Sequence, residues 1–159
     1  RSHNMKKSLK SLLLILLVAA VLIGVKVFLP DVYEIFFPSD DPGEIAEDGI
    51  YTSKEDVALY IHTYGKLPSN FITKDEAEAL GWSNGKLDKY AKNKCIGGDY
   101  FGNFEGTLPK KSGRVYTECD IDTLGASSRG EKRIVFSNDG LVYYSGDHYE
   151  TFELLYGTP

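Results

Sequence analysis

Three histidines and two cysteines are all the soft metal ligands that these 159 residues provide. With no histidine pair, no thiolate cluster and no carboxylate motif at metal-ligand spacing, neither a metal nor another cofactor is expected. Basic charge is scarce too. A formal net charge of -5 argues against a protein that coats nucleic acid, because such binders carry a broad cationic surface that releases counterions. The one long apolar run, Leu12 to Val25, is 14 residues long and shorter than the roughly 20 that span a bilayer. Beyond it there is no low-complexity tract, and no internal repeat. Hydrophobic residues at 42% and charged ones at 26% exclude wholesale disorder and leave function to local pattern.

The charge that is present is unevenly spread. Residues 1–30 hold five Lys or Arg and no acid, and residues 31–48 hold seven acids and no base. From residue 49 onward, 13 basic and 16 acidic side chains leave -3, so a polyanion site there must be a local cluster of Lys and Arg. Residues 1–4, ahead of Met5, read as a cloning remnant. Lys6, Lys7 and Lys10 before the apolar run make residues 5–29 an export segment, either a cleaved signal peptide or a retained membrane anchor, since no clean small-x-small cleavage pattern follows. Residues 30–48, with Pro38, Pro42 and the acid run, read as a solvated linker, and one folded domain is expected over 49–159. Export places that domain outside the cell, where Cys95 and Cys119 can stay oxidised; a disulfide between them and two buried free thiols are both open.

Within the domain, Ser53 with Asp56 caps a helix whose apolar stripe runs through Val57, Tyr60, Ile61 and Tyr64 and stops at Gly65 and Pro68. Thr73 with Glu76 opens a second helix, with Lys74 as its first residue, and a weak third is expected from Leu87 to Lys92. Strands follow at Cys95–Tyr100, Arg114–Ile121, Arg133–Ser137, Leu141–Tyr144 and Thr151–Leu155. Asp139-Gly140 between two of them is a hairpin signal. Two or three N-terminal helices packed on a five-stranded antiparallel C-terminal sheet make an α+β domain.

Alternation in the second strand puts Arg114, Tyr116, Glu118 and Asp120 on one face, from which Glu118 could look across the sheet at Arg133. Arg129 precedes Arg133 by four residues in a Gly- and Ser-rich stretch that can fold both guanidinium groups toward one centre, a pairing suited to phosphate. Taken singly these have duller readings: Glu118 as half of a surface ion pair, His148 as a solvated loop residue, His62 as a helix-surface residue.

Their combination carries more. Lys66-Leu67-Pro68, Asn70, Ile72-Thr73-Lys74, Glu76-Ala77, Ala79-Leu80-Gly81-Trp82, Ile96-Gly97-Gly98-Asp99, Asn103, Glu105-Gly106, Leu108-Pro109, Lys111-Ser112-Gly113-Arg114, Glu118, Asp120-Ile121, Arg129, Arg133-Ile134, Asp147-His148-Tyr149 and Thr151-Phe152 stand in order along the chain. In these blocks the sequence resembles the barnase and binase family, the bacterial branch of the small guanyl-preferring ribonucleases, over nearly the whole domain. The resemblance implies a monomeric endoribonuclease of the microbial ribonuclease fold that cleaves single-stranded RNA without metal. Glu118 would be the general base, His148 the general acid, and Lys74, Arg129 and Arg133 the cations around the phosphate. Phe101, Asn103, Glu105 and Tyr149 would contact the base, with Glu105 accepting from guanine.

The family pattern is broken at Gly102, Phe104, Ser128 and Gly130, where it commonly has serine, arginine, an aromatic and asparagine, so guanine preference is less secure than cleavage. An intracellular barstar-like inhibitor is implied as partner. Two other readings compete with the secreted enzyme: a surface-tethered binding module that keeps the fold without the activity, and a ribonuclease toxin used against competing bacteria.

Overall fold

In the computed structural model of the chain, residues 2–29 and 45–159 are described. They fall into two units. The first contains a single helix, α1 (Ser2–Phe28), which includes the apolar run. No helix among the described residues is long and apolar enough to cross a membrane. Of the expected linker, residues 30–44 lie outside the described residues, while 45–48 belong to the second unit. There Ile45 is buried, the Tyr64 hydroxyl donates to the Ile45 carbonyl at 2.6 Å, and the Tyr60 hydroxyl donates to that of Glu47 at 2.9 Å. The folded domain therefore begins about four residues before the expected boundary.

Its elements are α2 (Lys54–Tyr64), β1 (Phe71–Ile72), α3 (Lys74–Ala79), a 3-10 turn (Leu87–Lys89), β2 (Cys95–Phe101), β3 (Tyr116–Asp120), β4 (Arg133–Ser137), β5 (Val142–Ser145) and β6 (Glu153–Tyr156). Both capping signals are realised. The Ser53 hydroxyl accepts from the Asp56 amide, Gly65 closes α2 in the left-handed conformation, and Thr73 and Glu76 form a reciprocal capping box. The sheet has six strands in the order β1 to β6, not five: β1 adds itself parallel to β2, and the rest form an antiparallel meander. The expected third helix is only a single 3-10 turn.

Alternation along β3 and β4 divides the sheet into two faces. Cys119, Ile121, Ile134 and Phe136 pack with Val57, Ala58 and Ile61 of α2 in the main core. Tyr116 and Val135 point the other way, into a cluster with Leu108, Leu141 and Tyr143, and Phe101, Tyr149 and Phe152 lean against it. Glu118, Asp120 and Arg133 share that second face, so the site rests on a packed aromatic base.

The strand register corrects one expectation and decides between the two readings left open for the cysteines. Glu118 pairs with Val135, and it is Asp120 that stands opposite Arg133. Cys119 pairs with Gly97, which places Cys95 two residues, or about 7 Å, further along the strand. Disulfides bridge Cα atoms within roughly 7 Å, and an offset of that size added to the spacing between strands exceeds it. Cys95 and Cys119 are buried free thiols, and the Cys95 sulfur is directed at Thr52 Oγ1, 3.8 Å away. Burial pushes the Cys119 thiol up from its ordinary pKa. Gly97 has to be glycine, because a Cβ there would lie 2.5 Å from that of Cys119.

Candidate active site

Glu118 is brought to the open face by β3 and is only 9% exposed. One carboxylate oxygen accepts from the Lys74 ammonium at 2.5 Å, and the other accepts from the Tyr149 hydroxyl. Lys74 is available because the capping box starts α3 there; its backbone N–H donates to Asp99, whose carboxylate also lies 3.8 Å from the ammonium. Burial raises the Tyr149 phenol above its ordinary pKa, and the hydrogen bond to Glu118 adds to the shift. The phenol therefore remains a donor to this carboxylate across the neutral range.

Arg129 and Arg133 do converge, and their centre is Asp120, 1% exposed. Arg129 grips it with two hydrogen bonds of 2.7 and 2.8 Å. That contact, above all, raises the Arg129 pKa further, with smaller contributions from Glu118 and Tyr149. The Arg133 Nε is 3.1 Å from Asp120 Oδ1, an ion pair whose angle falls short of a hydrogen bond, so this buried N–H has no hydrogen-bond acceptor. The same guanidinium lies 5.9 Å from the centre of the Tyr149 ring.

His148 stands in the loop after β5. Asp147 ties that loop down by accepting from the Ser145 hydroxyl at 2.9 Å, the Thr151 amide at 2.9 Å and the Thr151 hydroxyl at 2.5 Å. Behind it, the Tyr149 amide donates to Ser145 Oγ and the His148 amide to the Glu131 carbonyl. The result is two consecutive non-glycine residues at positive φ, His148 at 54° and Tyr149 at 75°. Such backbone persists only where its surroundings over-determine it.

The Thr151 bonds, above all, hold the Asp147 carboxyl down at about 2. With an unfolded value of about 3.9, the folded state binds fewer protons, so the stabilisation is present above that value and is lost as pH falls through about 2. A urea midpoint followed from pH 5 to pH 2 is expected to fall less steeply in Asp147→Asn than in the parent. The same substitution should lower kcat by releasing His148. An unchanged kcat would show that the loop needs no such tether.

Glu118 and His148 line one cleft of about 450 Å³, with Phe101, Glu105 and Tyr149 among its other walls. Lys74, Arg129 and Arg133 do not form its walls; they stand behind them, on Glu118, Asp120 and the Tyr149 ring. Asn103 also borders the cleft, but its side chain is engaged within the loop, with Nδ2 donating to the Leu108 carbonyl and Oδ1 accepting from the Leu108 amide. The side chain thus shapes the loop, and a base contact from Asn103 would have to come from its backbone. Phe101 packs against Tyr149 at 5.2 Å between ring centres.

Phe104 is 91% exposed, and its ring lies over Gly102, where a Cβ would come within 2.1 Å of it. Gly102 and Phe104 are thus one coupled departure from the family pattern. Sequence reasoning missed Asp120 and Asp147 as organisers, although Asp120 lies two residues from Glu118 on the same strand face. Among the described residues no group of three or more His, Cys, Asp or Glu is placed to hold a metal ion.

Fold and site together define an α+β domain in which a carboxylate and an imidazole share a cleft backed by three cations. Residues 54–156 match the family model for ribonuclease. The chain is 49% identical over 98 residues to a ribonuclease of Heyndrickxia coagulans, covering 60% of this chain and 89% of that protein. It is equally similar over 98 residues to a ribonuclease of Bacillus intermedius, covering 60% of each. Over 59 residues it is 42% identical to the guanyl-specific ribonuclease Sa of Kitasatospora aureofaciens, covering 36% of this chain and 62% of that one. The chain belongs to the ribonuclease family, and RNA is its substrate class.

Proposed function

We propose that the protein is a guanyl-preferring endoribonuclease that cleaves single-stranded RNA by transphosphorylation. The observation that carries this is the presence of Glu118 and His148 in one cleft, with Lys74 bonded to the carboxylate. Glu118 takes the proton of a ribose 2′-OH, the 2′-oxygen attacks the adjacent phosphorus, and the bond to the departing 5′-oxygen breaks as His148 gives it a proton. The product is a 2′,3′-cyclic phosphate, which water opens in a slower second step with the two residues exchanging roles. Lys74, Arg129 and Arg133 supply fixed positive charge where the phosphoryl oxygens become more negative. DNA lacks the 2′-OH and so lacks the nucleophile. No step calls for a metal.

Guanine is read by Glu105 and the backbone of the 101–106 loop. The domain acts outside the cell as a monomer, and its producer guards the cytoplasm with an inhibitor protein whose acidic face complements the cations that stand behind the cleft.

The test is incubation of the domain with each of the four NpA dinucleotides in the presence of EDTA. Cyclic phosphate is expected from all, fastest from GpA, with a bell-shaped pH dependence. Folded protein that yields none from any dinucleotide would establish the binding-module reading instead.

A further inference from the structure

The loop wall of the first cleft has another side. Residues 100–104 also border a second cleft of about 350 Å³, completed by Lys110, Lys111, Arg114 and Tyr116. The two differ sharply in charge. Glu105, Glu118 and Glu150 line the first with one imidazole, whereas three cations and no carboxylate line the second. One of those cations is neutralised: Arg114 is clamped by Asp139 at 2.9 Å, and Lys111 stands 3.5 Å from the same carboxylate. Lys110 takes part in no ion pair among the described residues. In a domain with net negative charge this is a local basic cluster, and two large rings stand exposed at its edge, Tyr100 at 67% and Phe104 as described above.

Aromatic faces beside flexible cations are what single-stranded RNA uses for stacking and phosphate contact. We infer that the second cleft is a subsite for the nucleotide on the 5′ side of the recognised one, its base stacked on Tyr100 or Phe104 and its phosphate on Lys110 and Lys111. The direction rests on the function proposed above. His148 protonates the departing 5′-oxygen, and it lines only the first cleft together with Tyr149, Glu150 and Phe152, so the downstream strand lies on that side. The upstream strand crosses the 101–104 partition into the basic cleft. This also explains how an acidic domain that lacks a cation at position 104 retains a grip on a polyanion.

The test reads binding without cleavage. Fluorescence anisotropy would compare GpA with ApApGpA and GpApApA, each built entirely of 2′-deoxynucleotides so that no nucleophile is present at any linkage. ApApGpA is expected to bind at least about fivefold more tightly than GpA, the low end of what one stacked base contributes. Lys110→Ala with Lys111→Ala should remove most of that advantage and flatten its salt dependence, while GpA affinity stays unchanged. Tyr100→Ala should remove a further part without altering the salt slope. Equal affinity for GpA and ApApGpA, or an advantage that survives the double lysine substitution, overturns the subsite. An advantage confined to GpApApA and sensitive to the lysines overturns its direction. Failure of the catalytic reading would show separately, as intact ribo-GpA after incubation with the wild-type protein.

Discussion

Replacing His148 with alanine is expected to lower kcat/KM on GpA by a factor on the order of 10² to 10⁴, the usual contribution of one positioned proton donor. Glu118→Gln should cost a similar factor, and the double substitution little more than either alone, because base and acid serve one transition state. The two losses differ in kind, and that difference tests the assignment. A guanosine 3′-phosphate ester of p-nitrophenol has a leaving group that departs without a proton. On this substrate His148→Ala should recover most of its activity, whereas Glu118→Gln should not, since the 2′-OH still has to be deprotonated. The high-pH limb of the rate profile should disappear with His148 and the low-pH limb with Glu118. Equal loss on both substrates would remove His148 from the role of acid. The Tyr149 hydroxyl already bonds Glu118, so Tyr149→Phe, stepping kcat down on both substrates alike, would mark that phenol as a positioning group for the base.

What could be read from the sequence, and what could not, divides along the range of the interactions involved. The caps at Ser53 and Thr73 were legible because each is satisfied within three residues, and β4 was legible because five residues of clear β-former pattern lie between turn signals. Phe71 and Ile72 carry no period at all; they are a strand only because Cys95 and Ile96 lie beside them. A bulge between Gly97 and Asp99 shifts the register of β2, which composition does not announce, and even so Cys95 stays two residues past the partner of Cys119. The residues of the site were legible through the family's ordered blocks, while their partners were not. Lys74 reaches Glu118 across 44 positions and Tyr149 reaches it across 31, so the contacts that aim the carboxylate are products of the fold. Asn103 shows the converse. Both ends of its amide hold Leu108, only five positions away, so its side chain shapes the loop and only its backbone is left to meet a base.

Asp120 is where stability and chemistry meet, and its removal is expected to have the largest effect on folding. Two guanidinium groups point at one carboxylate, and Arg133, at 2% exposed, has no water to turn to when that carboxylate is gone. Breaking a buried pair by deleting one partner typically costs about 3 to 5 kcal/mol, because the remaining charge is left uncompensated. Against a total stability on the order of 5 to 15 kcal/mol, Asp120→Ala should therefore shift the urea midpoint far down or leave the domain unfolded at 37 °C. Arg129 supplies both hydrogen bonds to this buried carboxylate but is itself partly open to solvent, so Arg129→Ala should lower stability by less than Asp120→Ala, water entering where the guanidinium stood, while still costing activity. A compensated pair separates the two functions of the cluster. Asp120→Leu with Arg133→Met replaces the buried ions by apolar side chains, an exchange that is often neutral for stability, so most of the lost midpoint should return. Cleavage should not return with it, because the Met side chain offers no charge to a phosphoryl oxygen. If the double variant cleaved GpA as well as the parent, Arg133 would be a structural residue alone, and the phosphate site would consist of Lys74 and Arg129.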